Sequence, residues 1–269
     1  MRLFLALLAA ASIGTGTIHS ASAETLRAGG MGAGMAMFPA LFSAFDHEKR
    51  TALDIIPNLG SNGGLRALSE GALDIVVSGR ALKPDELSSG LTQAAMIRTP
   101  FVLVTSNPQP GSFQSSQVAN VYKSPKSAWG DGSLIRIILR PKSDSDTAVL
   151  SGMFPDMESA LEQARRRPEI PTAATDHDNA DLAERLSGSL AGSTLTQILM
   201  EKRKLNFVAL DGVVPSLDTF ERGTYPFEKR IYFVLRAKKS DLAFRFIAFL
   251  HSSQGEAALR AAGNLPGTE

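Results

Sequence analysis

The sequence predicts an α/β fold in two lobes, each a mostly parallel sheet flanked by helices. Two observations lead to this prediction. Apolar strand-like runs alternate with amphipathic helical patterns along nearly the whole chain, which is typical of parallel sheets with helices on both faces. Turns rich in proline, glycine and polar residues at 106–112 and 211–215 indicate two crossings between units. We therefore expect one lobe from 24–105 plus 211–269, a second lobe from 106–210, and a ligand cleft between them.

The first 23 residues have the pattern of a signal peptide. Arg2 supplies a basic start, residues 3–11 are apolar, and residues 21–23 form the small-residue cleavage motif ASA. The apolar run is much shorter than the ~20 residues that a membrane-spanning helix needs. A buried N-terminal helix is the alternative interpretation. We expect export, cleavage after Ala23 and a mature chain that begins at Glu24.

Charge and cysteine content narrow the classes of function and the compartment. The sequence holds 28 basic and 27 acidic residues, so removal of Arg2 leaves 28 − 1 = 27 of each and a formal net charge of zero. A chain without excess positive charge is not expected to bind nucleic acid. The sequence contains no cysteine, which excludes disulfides, thiolate metal sites, cysteine nucleophiles and a lipid anchor on cysteine. An exported protein without such an anchor is expected in the periplasm.

The individual strands and helices follow from hydrophobic periodicity and from helix start signals. In the first part of the chain, strands are predicted near 25–29, 52–58, 73–77 and 100–105, and helices at 37–47, 63–71 and 83–89. In the rest, strands are predicted at 134–139, 188–191, 205–210 and 230–235. The remaining helices are predicted at 155–167, 178–186, 194–202, 240–250 and 253–262.

Residues 52–80 carry a strand, turn, helix and strand pattern that suits a small anion. The apolar run 52–56 leads into the turn GSNGG at 60–64, and an amphipathic helix follows. The first turn of a helix leaves backbone N–H groups unpaired, with a partial positive charge behind them. Ser61 and the bare glycine amides can therefore form a pocket for an oxyanion. The alternative interpretation, Ser61 as a helix cap, does not require consecutive glycines.

Two neighbouring loops offer further candidate groups. The second strand of this stretch ends at Ser78 and is followed by Arg80, which forms either a surface ion pair or one wall of the cleft. Residues 29–34 have the sequence GGMGAG, which superficially matches dinucleotide-binding spacing. The next strand ends without the acidic residue that a ribose requires, so this reading is disfavoured. Close approach to a smaller anion and a tight loop without a ligand remain the alternatives.

Residues 140–147, RPKSDSDT, form a fourth candidate segment. Arg140 follows the predicted strand at 134–139 and can donate two parallel hydrogen bonds to an oxyanion. Ser145 and Thr147 lie where the next helix begins and its amides are open. The alternative interpretation is helix capping by Asp144 or Ser145, with Arg140 paired to the cap.

In this order, the segments resemble those of the phosphate-binding periplasmic proteins of ABC importers. The likeness rests on GAGMAMFPAL, GSNGGLRALSEGALDIVVSGRALKPDE, RPKSDSDT and YPFEKRIYFVL, and it covers nearly the whole mature chain. It implies two α/β lobes joined by hinge strands, which close over one oxyanion. Together with Arg80, the ligand-binding residues that it implies are Met37, Phe38, Ser61, Ser78, Arg140, Ser145 and Thr147.

Three positions depart from the pattern of that family. Met37 stands in place of a threonine and cannot donate a hydrogen bond to an oxyanion. Asp146 stands in place of a glycine, and the turn after Ser78 lacks an acidic acceptor. A carboxylate acceptor favours protonated phosphate over sulfate because it needs a hydrogen on the ligand. Asp144 or Asp146 either supplies that acceptor or repels the anion.

The sequence therefore predicts a periplasmic solute-binding protein that captures a small tetrahedral oxyanion, phosphate first, for an ABC permease in the inner membrane. We expect a monomer with no cofactor and no metal. The alternative is a degenerate binding-protein fold that acts as a sensor or interaction protein without transport. An enzyme is not expected, because His177 fits the acidic first turn of a helix capped by Thr175 better than a catalytic role. The sequence also lacks the hydrolase motifs GxSxG and HExxH.

Overall fold

The computed structural model describes residues 23–48, 50–237 and 240–267. The predicted signal peptide lies outside these ranges except for Ala23, so its cleavage stays a prediction. Within them, no helix combines the length and the apolar character that a membrane crossing requires.

Strands and helices are interspersed along the described ranges, as expected for the α/β class. The strands are β1 (Thr25–Gly30), β2 (Ala52–Ile56), β3 (Ile75–Ser78), β4 (Leu91–Thr105), β5 (Ser112–Phe113), β6 (Arg136–Ile137), β7 (Ser189–Thr194), β8 (Asn206–Phe207), β9 (Ala209–Leu210), β10 (Glu228–Arg236) and β11 (Leu265–Pro266). The helices are α1 (Gly32–Met35), α2 (Phe38–Phe45), α3 (Gly60–Ser69), α4 (Pro84–Ser88), α5 (Val118–Lys123), α6 (Ser145–Met153), α7 (Met157–Arg165), α8 (Asp176–Arg185), α9 (Leu195–Met200), α10 (Leu217–Glu221), α11 (Asp241–Leu250) and α12 (Ser253–Ala261). A short 3₁₀ helix, Ser115–Gln117, precedes α5.

The strands form one long sheet path in the order β2-β1-β3-β10-β4-β7-β6. β8 and β11 also pair with β4, and β5 pairs with β9 in a separate two-stranded sheet. The pairs of β1 with β2 and β3, and of β6 with β7, are parallel. β4 and β10, in the middle of the path, pair antiparallel with their neighbours. The predicted α/β class is confirmed.

β4 is a 15-residue strand that changes partner along its length. Its first part pairs with β10 as far as Pro100, which lies opposite Glu228. From Phe101, which lies opposite Thr194, it pairs with β7 instead. β4 therefore links the part of the sheet that contains β10 to the part that contains β7.

The buried apolar residues form separate clusters on the two sides of this change. Two clusters use residues between 26 and 97 and between 231 and 262, and two others use residues between 101 and 227. Tyr225 and Phe227 pack in the second group, although they follow the predicted boundary at 211. The division into two lobes stays a prediction.

Several elements differ from the sequence-based prediction in extent. α3 begins at Gly60, so the GSNGG segment predicted as a turn is itself the first turn of the helix. The first half of β4 was not predicted, because polar residues interrupt its apolar positions and an irregular pairing with β10 near Gln93 breaks the alternation, which is regular only from Ala95 to Thr99. α5 and α10 are also additional to the prediction, and each is only five or six residues long.

Candidate functional site

A cavity of about 190 Å³ lies among the loops that the sequence singles out. This is smaller than the roughly 300–1,000 Å³ of typical pockets for drug-sized ligands. Its lining consists of Met31, Gly32, Asn58, Leu59, Gly60, Ser61, Asn62, Arg80, Arg140, Pro141, Ser143, Asp144, Ser145, Ala174, Thr175, Asp176 and His177. Of the predicted site residues, the structure therefore brings Ser61, Arg80, Arg140 and Ser145 to one place.

The first turn of α3 presents its backbone to the cavity. Gly60, Ser61 and Asn62 line it, and the helix has no side-chain cap at this end. The Ser61 hydroxyl instead accepts a hydrogen bond from the Gly79 amide at 2.9 Å. The N-terminal amides of this ten-residue helix are thus not capped by any side chain of the described ranges, and a helix start of this kind attracts anions.

Arg80 lines the cavity, but its guanidinium is bound to other residues of the chain. It makes two hydrogen bonds to Glu86, at 2.8 and 2.6 Å, and Nε donates to Asn62 at 2.9 Å. The two hydrogen bonds from Arg80 to Glu86 lower the pKa of the Glu86 carboxyl below its usual range. Arg80 therefore lines the cavity and is also half of a partly buried ion pair, and its contact with a ligand stays a prediction.

Arg140 lies beneath the cavity with 7 % of its side chain exposed. Nη1 donates to the Ala173 carbonyl at 2.8 Å, and Nη2 donates to Asp144 at 2.8 Å and to Asp176 at 2.9 Å. Asp144 also caps α6 by accepting from the Asp146 amide at 2.8 Å. The capping alternative, in which Arg140 pairs with the cap, is the arrangement that the structure has.

Asp176 is the first residue of α8 and is as deeply buried as Arg140. Its second carboxylate oxygen accepts from the Ala33 amide, at the start of α1, at 2.8 Å. Burial raises the pKa of Asp176, and the Arg140 guanidinium opposes that rise. His177 follows it; its Nε2 lies 3.2 Å from Glu201 Oε1, and its side chain is partly exposed. The predicted cap is confirmed, since Thr175 accepts from the Asp178 amide at 3.0 Å.

A buried ion pair lies directly behind Ser145. Lys229, on β10, is 1 % exposed and contacts Asp146, and its ammonium also donates to the Ser145 hydroxyl at 3.0 Å. Burial lowers the pKa of Lys229 to about 7. Asp146, which replaces a glycine of the resembling family and lies on α6, thus faces a lysine on β10.

Acidic and basic groups are nearly balanced around the cavity. The described residues place three cations there, Arg80, Arg140 and Lys229, against four carboxylates, Glu86, Asp144, Asp146 and Asp176. Oxygens of the last three lie within 4.8 Å of one another, as a metal site would need. However, Asp144 and Asp176 accept hydrogen bonds from Arg140, and Asp146 accepts one from Lys229. These two side chains already supply the positive charge that a metal ion would bring to the three carboxylates.

Four of the predicted site residues do not line this cavity. Met37 and Phe38 are fully buried in the apolar core, where Phe38 packs against Phe246 at a ring distance of 4.9 Å. Ser78 is buried and donates to the Arg80 carbonyl at 2.7 Å. Thr147 donates to the Pro141 carbonyl at 2.9 Å and so fixes the turn before α6. The likeness of sequence therefore extends to residues whose side chains here are structural.

Asp176 and Lys229 are site residues that sequence reasoning did not assign. Asp176 appeared only as an acidic residue in a helix start, which is its commonest role in any chain. Lys229 lies between Glu228 and Arg230 in the segment YPFEKRIYFVL. A run of charged residues is typical of an exposed strand end, so no local signal pointed to the burial of this lysine.

Comparison with known proteins assigns the family. A model of the PBP superfamily domain matches residues 15–254. The chain belongs to the PBP superfamily. No curated protein matches it in sequence.

Among solved structures, this PBP superfamily chain is similar to a protein from Clostridium perfringens whose crystal structure holds bound phosphate. The TM-score is 0.72 at 17% identity, and the match covers 91% of this chain and 100% of that chain. It is also similar to the periplasmic molybdate-binding protein of Azotobacter vinelandii, with a TM-score of 0.64 at 12% identity over 90% and 100% of the two chains. An ABC-type phosphate transport receptor from Vibrio cholerae gives 0.59 at 16% identity over 89% and 99%. At these identities the similarity is one of fold.

Proposed function

We propose that the protein binds a small tetrahedral oxyanion in the cavity, with phosphate as the first candidate, and delivers it to an ABC permease from the periplasm. The observation that carries this proposal is the uncapped start of α3 facing the buried Arg140 across one cavity. Backbone amides and a guanidinium are the donors that oxyanions prefer. The three similar structures, two concerned with phosphate and one with molybdate, support the same class of ligand.

The carboxylates around the cavity favour phosphate among such anions. A carboxylate can only accept a hydrogen bond, so it matches a ligand oxygen that carries a hydrogen. Hydrogen phosphate has such an oxygen at neutral pH, whereas sulfate does not. Asp144 lines the cavity and is the acceptor that we assign to this role, because its side chain is 21% exposed, whereas that of Asp176 is 7% exposed.

Binding by closure of two lobes fits the arrangement of the site. Ser61 and Arg80 come from the part of the chain before the partner change in β4, and Arg140 and Ser145 come from the part after it. An anion held by both sets would favour the closed arrangement. We infer binding rather than catalysis, in keeping with the similar Clostridium perfringens structure, which is described as that of a substrate-binding protein.

Isothermal titration of the exported, processed protein with phosphate, sulfate, molybdate and a phosphonate tests the proposal. We expect saturable binding of one phosphate per chain. Ser61→Ala should weaken it several-fold, as the loss of about 1 kcal/mol for one hydrogen bond implies. Ser69→Ala, an exposed serine at the other end of α3, is the matched control and should bind like the wild type.

If none of the four anions binds more tightly than millimolar, the proposal is wrong. A pull-down from periplasmic extract would then test the sensor or interaction alternative. If molybdate or a phosphonate binds and phosphate does not, the oxyanion class stands and the choice of phosphate fails. Uptake of the bound anion by cells with and without the protein would test delivery to a permease.

A further inference from the structure

Asp176 holds donors from two distant parts of the chain with a single carboxylate. One oxygen accepts from the Ala33 amide at 2.8 Å, and the other accepts from Arg140 Nη2 at 2.9 Å. Ala33 belongs to α1, at the start of the described chain, whereas Arg140 follows β6. A carboxylate is itself an oxyanion, and these donors are of the kinds that bind one.

The surrounding residues hold the Asp176 carboxylate in this position. Its backbone is fixed at the start of α8, where Gln197 Nε2 donates to its carbonyl at 3.1 Å. Gly32 leaves room for it, because a Cβ on Gly32 would lie only 3.1 Å from Asp176 Oδ2. The charged or titratable groups that face the carboxylate are Arg140, Asp144, Asp146 and the adjacent His177.

We propose that Asp176 is an internal competitor of the ligand. Its carboxylate occupies an oxyanion position of the cavity, ties α1 to Arg140, and leaves both donors when an oxyanion ligand binds. Asp176 therefore sets the affinity of the site, and it lowers the affinity for dianions most because its own charge repels them. This inference rests on the proposed function and adds to it a residue that opposes binding.

Titration of Asp176→Ala with phosphate and with sulfate tests the competition. Removal of the carboxylate frees the Ala33 amide and one Arg140 donor, so we expect both anions to bind at least about tenfold more tightly than to the wild type. Asp176→Asn keeps the size of the side chain and should shift the affinity in the same direction if the alanine variant folds poorly. Asp181→Asn removes one exposed carboxylate from the same helix, away from the cavity, and should bind like the wild type.

The outcomes separate the two proposals. Equal affinity of the wild type and both Asp176 variants would overturn the competition while the proposed function stands. Absence of binding in all proteins would overturn the competition and the proposed function together. Binding by the variants but not by the wild type would support both.

Small-angle scattering without added anion tests the tie between α1 and Arg140 separately. Asp176→Ala should have a larger radius of gyration than the wild type and Asp181→Asn, because it loses a contact between parts that move on closure. An unchanged radius would overturn the tie.

Discussion

At the scale of single residues, Arg140 illustrates how one guanidinium organises the site. Its two terminal nitrogens reach Ala173, Asp144 and Asp176, which come from two segments, the turn before α6 and the stretch that leads into α8. The planar fork of arginine allows these bonds at once, whereas the point charge of lysine does not. The position of both carboxylates thus depends on this side chain.

Arg140→Met should lower the free energy of unfolding by about 3–5 kcal/mol, because it leaves two largely buried carboxylates without their cation. Chemical denaturation followed by circular dichroism measures the change. Arg136→Met is the control, since within the described ranges that exposed guanidinium on β6 donates only to the Ser187 carbonyl, and its change should stay below about 1 kcal/mol. Similar losses in the two variants would contradict the role of Arg140.

The raised pKa of Asp176 predicts how stability depends on pH. A raised pKa means that the fold favours the protonated carboxyl, so its stabilisation is complete below the ordinary pKa of 3.8 and is lost as the pH rises through the folded-state pKa. Asn at this position does not titrate. The wild type should therefore lose stability relative to Asp176→Asn as the pH is raised from about 4, by at most about 1.4 kcal/mol per pH unit. Denaturation of both proteins at several pH values checks this, and parallel curves would refute it.

At the scale of elements, the turn after β3 meets the start of α6 without room for a side chain. A Cβ on Gly79 would lie 2.6 Å from Ser145 Oγ and 2.9 Å from Lys229 Cε. Lys229 is fully buried and ion-paired, so it has no space to retreat. The close approach of these two loops is what brings Ser61 and Ser145 to the same cavity.

Gly79→Ala should therefore destabilise the protein by about 1–3 kcal/mol through overpacking. Gly63→Ala, within α3, is the matched control: its Cβ would meet nothing closer than 3.6 Å, and alanine favours the helix. Adding Ser145→Ala to Gly79→Ala should recover part of the loss, because it removes the closest atom. Thermal unfolding of the wild type, the two single variants and the double variant measures these changes in stability. If Gly79→Ala is as stable as the wild type, the two loops can move apart to make room for the added Cβ.

The sequence contained enough information for the class and most elements, and half of the residues predicted for the candidate site line the cavity. Ser61 and Arg140 were identifiable because glycine-rich helix starts and an arginine after a strand are local patterns. Asp176 was not, since its role depends on Ala33, which is more than a hundred residues away. Met37 and Phe38 were placed by likeness alone, and the likeness does not reveal that both side chains turn into the core.

At the scale of the whole molecule, export is a prediction that the N-terminus itself can test. N-terminal sequencing of protein recovered from the periplasmic fraction should begin at Glu24. Replacement of Ala23 by a bulky residue should retain the longer form, because the cleavage site requires small residues. A mature N-terminus elsewhere would contradict the predicted site.

The balanced charges at the cavity also have a consequence for the rate of encounter. Clefts lined by one sign of charge draw oppositely charged ligands and raise association rates by about 10–10³, an effect that salt suppresses. Here each cation at the cavity already faces a carboxylate, so no net positive field reaches outward from the described residues. Stopped-flow measurements should therefore find an association rate that changes less than about threefold between low and high ionic strength. A steep fall with salt would mean that these ion pairs open before the anion arrives.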